Sequence, residues 1–227
     1  MADCVGHDPD CISTKATTKM KILALELSSG QGSVAWLEDG AGPFVRTFAN
    51  DRKHSGLFFE NLQCCSREFG TPEVIVVGIG PGSYAGVRIA IAAAVGLRAA
   101  STATLAGIPS ICAIETAARE YCVIGDARRE SFFFGRVRDG RLMEGPSLHS
   151  RAELEMKISE LSVPLYASEP LPQFPKAALT YPSAQKLAEV AGDQIDEITD
   201  TRSLEPIYLR APHITVPKVA PIAAIKR

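Results

Sequence analysis

Residues 73–79 read EVIVVGI, residues 78–86 read GIGPGSYAG, and a run rich in small residues (Ala90, Ala92, Ala93, Ala94, Gly96, Ala99, Ala100) follows over 84–101. A short, wholly apolar run has the signature of a strand covered on both faces, as inside a parallel sheet. The glycine loop turns the chain straight into a helix, and a parallel neighbour needs such a crossover. This segment alone excludes all-α and all-β architectures and predicts an α/β fold.

The flanking sequence fits that frame. Residues 21–27, 33–38 and 44–49 are expected strands, joined by a polar turn at 28–32 and by Asp39-Gly40, a hairpin signal. Residues 52–69 place Leu57, Phe58, Asn61, Leu62 and Cys65 near one helical face, and Thr71-Pro72 ends that helix. Ile108-Pro109 leads into an expected short strand, and 114–121 is expected as a helix. A second unit then begins, with strands over 122–126 and 130–139 around the turn Asp139-Gly140, and residues 141–144 pairing back. A helix over 152–161, a strand over 163–167, a loop over 169–181 broken by Pro170, Pro172 and Pro175, a helix over 182–192 and an extended piece over 204–209 complete the pattern. No repeat of 20–50 residues is visible. The expected organisation is a disordered extension over 1–19 with Met20 as a candidate start, an N-terminal lobe over 20–121, a smaller lobe over 122–210 and a Pro-rich tail over 211–227.

Composition removes several functions. The 227 residues carry a formal net charge of −2, without the basic excess of a protein that grips nucleic acid by itself. The six cysteines include no C-x-x-C pair and read as reduced, small hydrophobes. Residues 1–19 hold Asp3, Asp8 and Asp10 and no apolar run, so they are not a signal peptide. The weakly polar stretch 87–107 contains Arg88 and Arg98 and reads as a packed helix, not a membrane span. A cytoplasmic protein is expected.

Three loops are candidate sites. The loop 78–86 opens a helix, where free N–H groups attract anions, yet it lacks the Gly-Lys-Ser/Thr of a Walker loop, and Pro81 removes a donor. A tight turn with close helix packing explains its glycines equally well. Glu26, Ser28 and Ser29, in LELSSGQGS, and Asp126 and Arg128, in GDARRE, could surround a phosphate; polar turns explain both on physical grounds. His7, His54, His149 and His213 form no H-x-x-x-H pair, so no metal site is expected. The small-residue helix after Tyr84 invites a second helix to approach closely, within the chain or on another one.

Five segments occur in a telling order: ILALELSSGQGSVAWLEDG, GIGPGSYAGVRIAIAAAVGL, IPSICAIETAA, VIGDARRESFFFGRV and EPIYLR. In this order they resemble the bacterial TsaB (YeaZ) family over about residues 20–210, with GPGSYAGVRI the most specific match. The resemblance implies an actin-like, heat-shock-chaperone-like ATPase fold of the ribonuclease H-like type, in two lobes with the second one short. It implies a non-catalytic scaffold, without cofactor, that binds and activates a TsaD-type transferase. That enzyme places threonylcarbamoyl on adenosine 37 of tRNAs reading codons that begin with A. A TsaE-type ATPase joins the larger complex, a homodimer can form, and tRNA is met only indirectly. Carried over from the family, the partner surface is expected on the first two helices, with Leu57, Phe58, Asn61, Leu62, Val87, Ile91, Ala94, Val95 and Arg98 in contact. Glu26 stands where the family usually has Asp, which argues against metal binding there. The alternatives are an active ATPase or small-molecule kinase of the same superfamily, with phosphate between Glu26, Ser28, Ser29, Asp126 and Arg128, and, against the missing histidine pair, a metalloprotease.

Overall fold

The computed structural model describes residues 20–38, 40–50, 55–198 and 204–210. The expected extension 1–19 and the tail 211–227 lie outside the described residues. Two five-stranded mixed sheets carry the fold. The first contains β1 (Lys21–Glu26), β2 (Gln31–Glu38), β3 (Phe44–Ala49), β4 (Val74–Gly78) and β5 (Thr104–Ile108), in the order β3-β2-β1-β4-β5. β1, β2 and β3 pair antiparallel, whereas β4 runs parallel to both β1 and β5. The second contains β6 (Glu120–Asp126), β7 (Ser131–Arg138), β8 (Arg141–Ser150), β9 (Leu165–Ala167) and β10 (Ala178–Leu179), in the order β10-β9-β6-β7-β8. Read from β6, this is the first sheet's topology again: two antiparallel hairpins, then two parallel strands on the other side. The repeated unit is a whole five-stranded sheet, too long to show as a short sequence period.

Period-2 alternation assigns each face. Leu23, Leu25 and Leu27 face α1 (Ser55–Phe69) and α2 (Tyr84–Ala99), in a core with Val34, Trp36, Ile75 and Val77. Ile22 and Ala24 face the other way, onto α4 (Ala184–Asp193) and onto Tyr121 and Val123 of the second sheet. Cys122 and Ile124, one residue out of phase, cover the far side of that sheet with Leu154 of α3 (Arg151–Ser159). The layers thus run α1/α2, first sheet, α4, second sheet, α3.

Two expectations change. Residues 114–121 form no helix: Ile114 bridges Pro182 and β6 already begins at Glu120, after a single 3-10 turn at Ser110–Ala113. Ile114 and Tyr121 are both buried, and their spacing imitates a helical stripe, although extended chain delivers them to the same core. The strand expected after Pro109 lies before it, as β5, where it completes the parallel pair with β4.

The lobe boundary is also crossed. α4 follows β10 but packs on the first sheet, its first N–H donating to the buried Ser33 hydroxyl of β2 at 2.8 Å. Leu187, Ala188 and Ala191 bury this face, and each fully buried leucine-sized side chain contributes about 1.5–3 kcal/mol. Among the described residues of the second sheet's unit no helix matches α2. The Pro-rich connection from β9 to β10 is held instead by Phe174, whose ring meets Phe132 edge-on at 4.9 Å in the far core.

Candidate functional site

The parallel strands β1, β4 and β5 end together at Glu26, Gly78 and Ile108. Ligands of open α/β sheets bind at such carboxyl ends. Here the ends close on one another. Ser83 donates its N–H to the carbonyl of Ser28 at 2.6 Å. A Cβ on Gly82 would lie 2.1 Å from that carbonyl oxygen, and one on Gly86 2.1 Å from the carbonyl of Leu27. The glycines thus let the loop 79–83 and the first turn of α2 lie directly on the β1–β2 turn. Ser83 caps α2, its hydroxyl accepting from Gly86 N–H at 3.2 Å. Asn50 holds the same turn from the other side, donating to the carbonyls of Leu27 and Ser29 at 2.9 and 2.8 Å.

Glu26 is fully buried in this junction. Its Oε1 accepts from Ser28 N–H at 2.6 Å, whereas Oε2 makes no hydrogen bond although Ser110 lies beside it. Gly78 makes the space: a Cβ there would lie 1.8 Å from Oε2. Burial pushes the Glu26 carboxyl above its ordinary value, and the Ser28 and Ser110 groups pull it back by less. The Ser110 hydroxyl itself accepts from Gly80 N–H at 3.0 Å. Ser28 and Ser29 are buried as well, with Ser29 Oγ bridging to the backbone of Gln31 within its own turn.

Asp126 is the topological counterpart of Glu26, at the end of the second lobe's first strand. It accepts from the Arg128 N–H at 2.7 Å and pairs with the Arg128 guanidinium at 3.4 Å. Its own N–H donates to Glu169 at 2.8 Å. Among the described residues no hydrogen bond or ion pair joins the Glu26–Ser28–Ser29 group to Asp126 and Arg128. The five residues expected around a phosphate thus form two separate turns, the first of them packed shut. Among the described residues no group of His, Cys, Asp and Glu side chains could hold a metal ion. No helix among them is long and apolar enough to cross a membrane.

The helix faces are corrected by burial. Phe58, Leu62, Val87 and Ala94 were expected at a partner surface; Phe58, Leu62 and Ala94 are buried in the core under α1 and α2, and Val87 is buried beside Gly80 of the glycine loop. Phe58, Leu62 and Cys65 form an i, i+4, i+7 stripe, the spacing that packs a helix onto a sheet. Leu57, Asn61, Ile91 and Arg98 are half-buried at the flanks, and Val95 is 43% exposed. Phe59 (53% exposed) and Tyr84 (59%) were not among the expected residues. Phe59 falls just off the Phe58 stripe, and that offset was the available signal.

Fold and strand-end geometry together define a class: an α/β protein of two five-stranded mixed sheets that repeat one strand order. Two solved structures from Pseudomonas aeruginosa share this fold. One is described as an uncharacterized protein with similarity to peptidase YEAZ (24% identity, TM-score 0.67), the other as YeaZ (21% identity, TM-score 0.67); each match covers 84% of this chain and 100% of that one. Residues 52–156 match the family model described as TsaD, tRNA N6-adenosine threonylcarbamoyltransferase. An uncharacterized protein of Mycobacterium leprae, ML0378, is 28% identical over 155 residues, 67% of this chain. The chain spans 40% of that protein's length. The resemblance carried by the sequence motifs is borne out: the chain has the YeaZ (TsaB) fold, and its middle segment carries a TsaD-family signature.

Proposed function

We propose that the chain is a TsaB-type subunit of the machinery that makes N6-threonylcarbamoyladenosine at position 37 of tRNA, and that it binds and activates a TsaD-type transferase without chemistry of its own. The observation that carries this reading is the match of the YeaZ structures along their full length, joined to the TsaD-family signature over 52–156. The packed junction at Glu26, Ser28 and Ser83 supports a scaffold over a kinase or ATPase, because backbone donors a phosphate would need already serve the protein's own oxygens, Ser83 N–H the Ser28 carbonyl and Ser28 N–H the Glu26 carboxyl. The contact face is the outer side of α1 and of the later half of α2, where Phe59 and Val95 are exposed between Leu57, Asn61, Ile91 and Arg98. The same face permits a homodimer when the partner is absent, and a TsaE-type ATPase would join the assembled pair.

Light scattering during size-exclusion chromatography tests the reading, with this chain alone and mixed with its own organism's TsaD-type protein. A new peak containing both chains is expected. Absence of any complex across salt and nucleotide conditions, together with ATP binding by the isolated chain, would replace the scaffold with the ATPase reading.

A further inference from the structure

Residues 204–210 have no regular secondary structure, yet they tie the two lobes together. Leu204 packs into the core under α2, and Leu209 packs into the core between the sheets. Ile207 donates its N–H to the Ile79 carbonyl at 2.8 Å. With these residues turned inward, Tyr208 and Arg210 are left outside. The Tyr208 ring lies beside that of Tyr84, tilted 36° to it with centroids 5.6 Å apart. One turn along α2, the Arg88 guanidinium lies 5.1 Å above the Tyr84 ring and 2.6 Å from its hydroxyl. Arg210 donates to the carbonyl of Arg128 at 3.4 Å, on the β6–β7 loop. In that loop Arg128, Arg129 and Glu130 hold φ of 64°, 53° and 57°, a left-handed run that L-residues avoid on steric grounds.

Both tyrosines stand in water, Tyr84 59% and Tyr208 46% exposed. Among the described residues no carboxylate pairs with Arg88, Arg129 or Arg210. The exposed acids on the same segments, Glu130 and Glu205, make no ion pair with them, so the surface joins two exposed rings, bridged at their hydroxyls by Arg88, to point cations rather than forming a uniformly basic face. Flat rings beside isolated arginines suit a polymer that offers both unstacked bases and phosphates. An acidic peptide would leave the rings unused, a proline-rich one would leave the cations unused, and a duplex keeps its bases out of reach.

We propose that Tyr84, Arg88, Tyr208 and Arg210, with Arg129, form a docking surface for single-stranded RNA, so that this chain touches its tRNA directly. The identity of the RNA rests on the function proposed above, and the contact revises the expectation that tRNA is met only through the partner. The probe is a fluorescently labelled anticodon stem-loop of a tRNA reading codons that begin with A, titrated with the full chain in low salt and followed by anisotropy. Tyr84→Ala with Tyr208→Ala should weaken binding at least about tenfold, because each lost base stack is felt separately. Tyr84→Phe with Tyr208→Phe should bind like the parent, since phenylalanine keeps the ring and the fold. Arg88→Ala, and Arg129→Ala with Arg210→Ala, should weaken binding and flatten its salt dependence. A blunt duplex of equal length should bind at least about tenfold more weakly than the loop.

No measurable binding by the parent chain, or equal binding by all variants, overturns the proposal. Loss of the TsaD-type partner in the double alanine variant, with RNA binding intact, also overturns it and makes the surface a protein interface. RNA binding that depends on the tyrosines, in a chain that forms no complex with that partner, would sink the partner reading and keep this one.

Discussion

Ala94 and Val95 are neighbours on α2, yet glutamate should do opposite things at the two positions. Ala94 is fully buried among the strands of the first sheet. A carboxylate there is an unpaired buried charge, costing about 3–5 kcal/mol. Forcing its extra atoms into a closed core adds about 1–3 kcal/mol. The sum is a large part of a typical total stability of about 5–15 kcal/mol. Ala94→Glu should therefore lower the melting temperature by more than about 10 °C or prevent folding. Val95, at 43% exposure, points to solvent. Val95→Glu should change stability by less than about 0.5 kcal/mol, within about 2 °C in melting. Its effect falls on association: an unpaired charge desolvated at an interface costs about 2–5 kcal/mol, roughly 30-fold to several thousandfold in Kd. Circular-dichroism melts of both variants, with calorimetric titration against the TsaD-type protein, separate the two effects. A Val95→Glu variant that melts as low as Ala94→Glu would refute the assignment of faces. One that folds and binds normally would refute the outer side of α2 as the contact surface.

Two further outcomes follow from the strand-end junction. Burial raises the Glu26 carboxyl above 4.5, so its contribution to stability is complete below that pH and is lost as pH rises through the folded-state value. Urea melts at about pH 5 and about pH 8 should show a smaller pH-dependent loss in Glu26→Gln than in the parent, and identical losses would remove Glu26 as the cause. Gly82→Ala places a Cβ 2.1 Å from the Ser28 carbonyl oxygen and must part the two loops. It should cost about 1–3 kcal/mol and speed amide exchange at Ser83, whereas an unchanged melt with a protected Ser83 amide would show that the loops do not clasp.

Much of the fold was legible because local chemistry and final structure agree. EVIVVGI became β4, the GPGS loop opened α2 at Ser83, and Asp139-Gly140 turned β7 into β8, since each signal acts through its own few residues. Where two environments share one local pattern, the reading failed. Ile114 and Tyr121 have a helical spacing but sit in extended chain, because what buries them is α4 and the second sheet, distant in sequence. The same ambiguity affected the helix surfaces: α1 is apolar at Leu57, Phe58, Phe59 and Leu62 alike, and only the sheet beneath it decides that Phe58 and Leu62 turn in while Phe59 turns out.

By itself the sequence determined most of the strands, the glycine loop, the family resemblance and the lack of an H-x-x-x-H spacing, all of which are properties of short stretches. The tertiary structure alone decided that Glu26 is buried against Gly78, that Ser28 and Ser83 clasp each other, and that Tyr208 meets Tyr84. Those contacts join residues up to a lobe apart in the chain, and their energy comes from closing such distances, which no local pattern records.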